Sequence, residues 1–444
     1  MSRSLAGALL GALLLISAPA LAAEPRPVDT GDTAFMLLCS VLVLLMTVPG
    51  LALFYGGMVR KKNILAVMMQ SFFLTALMTV VWVVAGYSLA FGNGGALVGD
   101  FSRLMLAGME VGFDQAFTLG AGTPAEVALT IPEPVFMLYQ MTFAIITPAV
   151  ITGAFAERMK FSALLVLMTL WSLLVYAPIA HWAWAPLGWL NQLGMADFAG
   201  GTVVEVNSGI AGLVCALVLG RRLGYGHDNM APFNLAYAVI GASLLWVGWL
   251  GFNGGSALAS GGRAGMAIGA TQVAAAGATL SWTAFEWFQH RRPTVLGAIS
   301  GAVAGLVAIT PAAGFVLPGP ALVIGLAAGA VCYYAVTVLK AKLRYDDSLD
   351  AFGVHGVGGM LGMLGTGLLA HGALSASAAA PAGAYVGGFA LLGVQALGVV
   401  AVAAWSGVGT FVLLKLTDFL VGLRASQDEE RQGLDEALHG ESLG

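Results

Sequence analysis

Two ionisable residues stand inside otherwise apolar stretches, and each needs a chemical reason to be there. Glu205 lies in Asp197-Phe-Ala-Gly-Gly-Thr-Val-Val-Glu205-Val-Asn-Ser-Gly, and His355 lies in Asp350-Ala-Phe-Gly-Val-His355-Gly-Val-Gly-Gly. An ionisable group in a membrane helix is expensive, so it pairs, lines a path or relays protons. An acid and an imidazole that meet in one conduit titrate as a coupled pair, either neutral beside neutral or carboxylate beside imidazolium. Both states relay protons, and the second places a negative charge where a cation would pass. The alternative is two unrelated residues, each satisfied locally. Aromatic faces attract ammonium-type cations, Trp most strongly. Trp184 ends His181-Trp-Ala-Trp184, Phe143 ends Tyr139-Gln-Met-Thr-Phe143, and Phe252 begins Phe252-Asn-Gly-Gly-Ser256. Taken singly, each reads first as a core or lipid-interface aromatic, and composition alone does not select them.

The elements that carry these residues follow from hydropathy. Of 444 residues, 59% are hydrophobic and only 9% charged, and the mean hydropathy is +0.87. Soluble domains carry roughly 25% charged residues, so lipid must solvate much of this chain. No basic stripe exists for nucleic acid. The 61 glycines suit helices whose backbones approach closely. Cys39, Cys215 and Cys332 sit in separate apolar runs without metal spacing and read as small buried hydrophobes. Residues 1–22, with Arg3, an apolar run from Leu5 to Ile16 and Ala20-Leu21-Ala22, read as a secretory signal peptide.

Eleven apolar segments follow, near 33–57, 64–92, 133–156, 161–181, 203–220, 232–254, 265–288, 295–310, 320–339, 353–371 and 385–421. With the mature N-terminus outside, 15 of the 18 Lys and Arg beyond residue 22 fall on the inner side, which obeys the positive-inside rule at every crossing. The longest outer connection, about 93–132, is acidic and Gly-rich. The expected fold is all-α and polytopic: eleven transmembrane helices, a five-plus-five inverted repeat with one peripheral helix. Such halves place a pathway between them. Glu205 and His355 then fall on counterpart helices, the fifth and tenth. A retinal pump needs a mid-membrane Lys, and every Lys here falls at a helix end or in a loop. An intramembrane protease needs a nucleophile with its base, or His-Glu-x-x-His, and neither arrangement is present. The chain is therefore read as a transporter, not an enzyme, with no cofactor and no metal site.

Several strings together resemble the Amt/Mep/Rh ammonium transporter family, in its bacterial Amt branch. They are Pro49-Gly-Leu-Ala-Leu-Phe-Tyr-Gly-Gly57, Glu157-Arg158, Asp197-Phe-Ala-Gly-Gly201, Trp249 to Ser256, Asp350 to Gly356, and Val421-Gly-Leu-Arg424. The resemblance covers nearly all of residues 23–424, the expected membrane domain. It implies a homotrimer with one pore per subunit, in a bacterial inner membrane, with the N-terminus outside and the C-terminus cytoplasmic. Ammonium or methylammonium would bind at Phe143, Trp184 and Ser256. Phe143 and Phe252 would form the gate, and Asp197, Glu205 and His355 would support proton relay. The family's first twin histidine is replaced by Glu205, as in some fungal members, and Tyr139 stands where phenylalanine is usual. Ammonium remains the expected substrate: bound outside, deprotonated, and conducted inward as ammonia with a relayed proton. A Glu-containing pore passing ammonium and similar cations intact, or an ammonium sensor with little transport, are the alternatives. Residues 425–444 resemble a cytoplasmic regulatory tail that meets a PII-type signal protein.

Overall fold

The computed structural model describes residues 27–374, 383 and 389–443; the expected signal peptide at 1–22 lies outside them. Among the described residues there are eleven long helices, at the places the hydropathy predicts: α1 (Thr30–Met58), α2 (Lys61–Phe91), α3 (Glu133–Phe155), α4 (Phe161–Gln192), α5 (Gly201–Leu219), α6 (Leu235–Gly255), α7 (Gly262–His290), α8 (Val295–Ile309), α9 (Pro318–Leu343), α10 (Phe352–Leu369) and α11 (Ala390–Val421). Such a chain forms helices because hydrocarbon offers no partner to backbone N–H and C=O groups, so each span must satisfy its own. The acidic connection between α2 and α3 contains a hairpin that the sequence does not announce: β1 (Ala116–Leu119) pairs antiparallel with β2 (Val127–Pro132). The fourth span is helical to Trp184, past its expected end at 181, turns extended at Ala185 and resumes for one turn at Trp189–Gln192.

The five-plus-five repeat is explicit where α5 crosses α10. Both helices begin with a wide turn, seen in the Glu205 N–H reaching the Gly200 carbonyl at 3.1 Å. Such one-turn widenings inside helices recur at functional sites. The crossing is reciprocal. Gly209, four residues after Glu205, lies so close to α10 that a Cβ there would sit 2.2 Å from the Gly356 nitrogen. Gly359, four residues after His355, would put a Cβ 2.7 Å from the Glu205 Cβ. Any side chain at either glycine would pry the two helices apart.

Helix α11, at 32 residues, is about 48 Å long at 1.5 Å per residue, more than one bilayer core requires. It packs on α4, α5 and α10 and exposes Val400, Val408, Phe411 and Phe419 on its far side. That apolar outer face is what lipid contact demands, and it fits the expected peripheral helix. At the inner end, Glu157 pairs with Arg60 at 2.7 Å and Arg222 at 3.5 Å, while Arg222 also holds Asp346 at 2.9 Å. This network ties together the connections α1–α2, α3–α4, α5–α6 and α9–α10. The short tail helix α12 (Gln427–Gln432) carries a Ser426/Glu429 capping box. Its Glu430 pairs with Arg424. Beyond it, the buried Asp435 carboxylate accepts the Leu65 and Ala66 N–H groups at 3.1 and 2.8 Å, capping the start of α2.

Candidate functional site

All the expected site residues except Asp197 line a series of cavities through the bundle. At its outer end a cavity of about 100 Å³ is lined by Gln140, Phe143, Trp184, Phe198 and Ser256, with Leu119 of the hairpin on its rim. Trp184 stands edge-on to Phe143, with ring centres 5.6 Å apart at 89°. Its indole N–H donates to the Asp197 carbonyl at 3.0 Å, which fixes the ring against the start of α5. The rotation of this large side chain is thereby held before any ligand arrives.

Ser256 and Tyr139 both reach the Phe252 carbonyl, at 2.9 and 2.6 Å, and their hydroxyls lie 3.2 Å from each other. With its hydrogen committed to that carbonyl, the Ser256 oxygen keeps lone pairs for a donor in the cavity. The Tyr139 hydroxyl thus anchors the backbone of Phe252 rather than facing ligand. Gln140 was not singled out by the sequence. It is buried, it lines the cavity, and its Oε1 has no partner. A buried amide oxygen without a partner is costly, and that signal appears only once neighbours are known.

Asp197 does not touch the cavity. Its carboxylate accepts the N–H groups of Gly200, Gly201 and Thr202 at 2.9, 2.6 and 2.7 Å and the Thr202 hydroxyl at 2.5 Å. It is the cap that starts α5 and the seat on which Trp184 is held.

Below the cavity, Phe143 and Phe252 stack with ring centres 4.2 Å apart at 30°, both buried. Phe143 lines the outer cavity, whereas Phe252 lines a second one, a slot of about 10 Å³ holding Glu205 and His355 among apolar side chains such as Ile146, Val204 and Leu245. The stacked rings are therefore the partition between the two spaces. A slot of that size holds about one water-sized molecule.

Glu205 and His355 meet there, with His355 Nδ1 2.7 Å from Glu205 Oε2. Of the two readings open in the sequence, the facing pair is the one realised. The other carboxyl oxygen, Oε1, is buried and has no partner. His355 also lines an inner vestibule of about 290 Å³, together with Tyr55, Trp282, Glu286 and Asp350. The imidazole thus borders both the slot and the space beyond it. Neutral imidazole accepts at one nitrogen while donating at the other, so a group in this position is chemically able to pass a proton on.

The sequence profile of the Ammonium Transporter Family matches residues 34–443. An ammonium transporter of Bacillus subtilis (strain 168) is 49% identical over 413 residues, covering 93% of this chain and 98% of that protein. The crystal structure of Saccharomyces cerevisiae Mep2 superposes with a TM-score of 0.81 at 36% identity, covering 90% of this chain and 88% of that one. A solved sensor Amt protein superposes with a TM-score of 0.82 at 28% identity, covering 92% and 98%. With its fold, its path and its relatives in agreement over nearly the whole length, the chain belongs to the Ammonium Transporter Family.

Proposed function

We propose that this multi-pass membrane protein carries ammonium inward electrogenically. The cation binds in the outer cavity against Phe143 and Trp184, with the Ser256 oxygen and the Gln140 Oε1 as hydrogen-bond acceptors. Each aromatic face contributes on the order of 0.5 to 2 kcal/mol. Ammonium then gives up a proton, and ammonia passes the Phe143/Phe252 gate into the slot. The proton travels separately through Glu205 and His355 and rejoins ammonia in the inner vestibule, so one positive charge crosses per turnover. Asp197 keeps the start of α5 and Trp184 in register for the first step.

The observation that carries this reading is the 2.7 Å Glu205–His355 contact inside a slot of about 10 Å³, too small for a hydrated ion. A neutral molecule crosses the apolar slot without the large desolvation an ion incurs there, and the polar pair supplies the charge route. The test is electrophysiology on reconstituted protein with ammonium, methylammonium and potassium pulses. Inward positive current with the first two is the expected result. A lumenal pH change without current would replace this mechanism with a plain ammonia channel.

A second reading is favoured by the unpartnered Glu205 Oε1: the carboxylate lowers the cost of an ion, and cations pass intact. Potassium current would support it. Saturable ammonium binding with no flux would instead favour a sensor.

We also assign the protein as a homotrimer in the bacterial inner membrane, with the mature N-terminus outside and the tail cytoplasmic. The tail from 425 onward is a docking element for a PII-type partner. Removing residues 425–444 should abolish co-elution with purified PII protein while leaving ammonium current in place. Absence of co-elution with the intact chain would end this assignment.

A further inference from the structure

Arg263, in the first turn of α7 on the outer side, is an unusual charge. Its guanidinium lies over the Phe198 ring at 5.3 Å and over the Phe315 ring at 5.2 Å, and the two rings meet edge-on at 5.5 Å. None of the ion pairs among the described residues includes it, and its buried Nε has no hydrogen-bond partner. Phe198 lines the outer cavity beside Phe143, Trp184 and Ser256. Its position is fixed from behind, because a Cβ on Gly314 would lie 2.0 Å from its Cε2. An uncompensated positive charge is therefore built one aromatic ring behind the wall of a cation's entry cavity.

The surroundings give that charge a task. The outer connection over residues 93–132 carries Asp100, Glu110, Asp114 and Glu126 against one basic residue, Arg103, which is paired with Glu133 at 3.0 Å. A net-negative connection on this side concentrates every cation near the surface, and divalent ones most, because the interaction energy scales with the charge of the visitor. A fixed positive charge behind the cavity acts by the same rule in the opposite sense. It opposes a divalent metal ion or a compact diamine twice as strongly as it opposes ammonium. The guanidinium also occupies one face of Phe198, which weakens that ring as a further cation platform.

We propose that Arg263 is a valence filter: a specificity-determining residue that keeps doubly charged cations from occupying the outer cavity while taxing ammonium only lightly. The inference rests on the outer cavity being the cation's entry site. Arg263→Gln removes the charge and keeps a flat polar group, while Arg263→Lys keeps the charge. Methylammonium uptake into proteoliposomes is measured against magnesium and 1,4-diaminobutane as competitors, at ionic strengths of about 0.01 and 0.15 M set with a bulky impermeant salt.

Arg263→Gln should lower the apparent KM for methylammonium about threefold at low ionic strength. It should lower the inhibition constant of either divalent competitor by about the square of that factor. Both shifts should shrink at the higher ionic strength, and Arg263→Lys should retain wild-type ratios. Equal factors for singly and doubly charged cations would overturn the proposal and leave Arg263 as packing for Phe198. Arg263→Lys behaving like Arg263→Gln would do the same. Trp184→Leu separates the two levels. If it weakens methylammonium affinity while Arg263→Gln changes nothing, the filter falls and the entry site stands. If both are silent, the entry site falls and the filter with it.

Discussion

The starts of α5 and α10 are two versions of one device, and their difference shows how the two ends of the path are made. In each, an aspartate stands eight residues before the pore residue: Asp197 before Glu205, Asp347 before His355. In each, the carboxylate caps the first turn of the helix that carries the pore residue. The outer cap is complete, with four donors on Asp197 and no charged neighbour among its bonds. The inner cap is sparser. Asp347 accepts only the Ala351 and Phe352 N–H groups, at 3.1 and 2.8 Å, and the neighbouring Asp350 is tied to Lys340 at 2.6 Å. A saturated cap makes a rigid seat for a binding site. A cap set among ion pairs is open to its electrostatic surroundings. The Asp197 end is thus built for fixed geometry, and the Asp347 end is joined to the Glu157–Arg60–Arg222–Asp346 network and the tail.

The largest expected effect tests this asymmetry directly. Asp197→Ala strands three N–H groups and one hydroxyl, so it should lower stability by roughly 3 kcal/mol or more and abolish ammonium current. Asp347→Ala loses two bonds and should cost about 1 to 2 kcal/mol, with measurable current remaining. Thermal unfolding of the purified variants, followed by tryptophan fluorescence, ranks them. Equal losses would mean that the two caps are equivalent and the comparison fails.

The second test moves from the caps to the residues they hold. Glu205→Ala should slow the charged step by at least about tenfold, in the range that removal of a proton-transfer group produces. Glu205→His should retain ammonium current and reduce any potassium leak, because it removes the only carboxylate in the slot. The potassium-to-ammonium current ratio under identical gradients decides. No potassium current in wild type, with equal ratios in both proteins, would confine Glu205 to a relay role.

The smallest effect concerns pH at the inner cap. Burial, reinforced by the nearby Asp350 charge, pushes the Asp347 carboxyl up to about 6. A carboxyl raised on folding adds stability below its unfolded value, and that contribution is lost as pH rises through the folded one. Wild type should therefore lose stability relative to Asp347→Asn between about pH 4 and 6, read as the difference in melting temperature. A constant difference over that range would show that the inner cap is not electrostatically poised.

Much of this architecture is legible in the sequence because lipid enforces it locally. Each span must be apolar and helical on its own account, so hydropathy and the placement of Arg and Lys predict eleven helices and their alternation. Likewise, Glu205 and His355 stand out because an ionisable residue in such a run is conspicuous without knowledge of its neighbours. Which groups meet is a different matter. The His355 string draws the eye to Asp350, yet the capping place belongs to Asp347, and Asp350 bonds Lys340 instead. The 2.7 Å contact, the free Glu205 Oε1, the unpartnered Gln140 and the Arg263 sandwich all depend on side chains far apart in the chain. The sequence by itself determined the spans and the residue types available for chemistry. Only the tertiary structure decided which of them face one another, because that follows from close helix crossings such as Gly209 on Gly356, where separate parts of the chain are brought within a bond's reach.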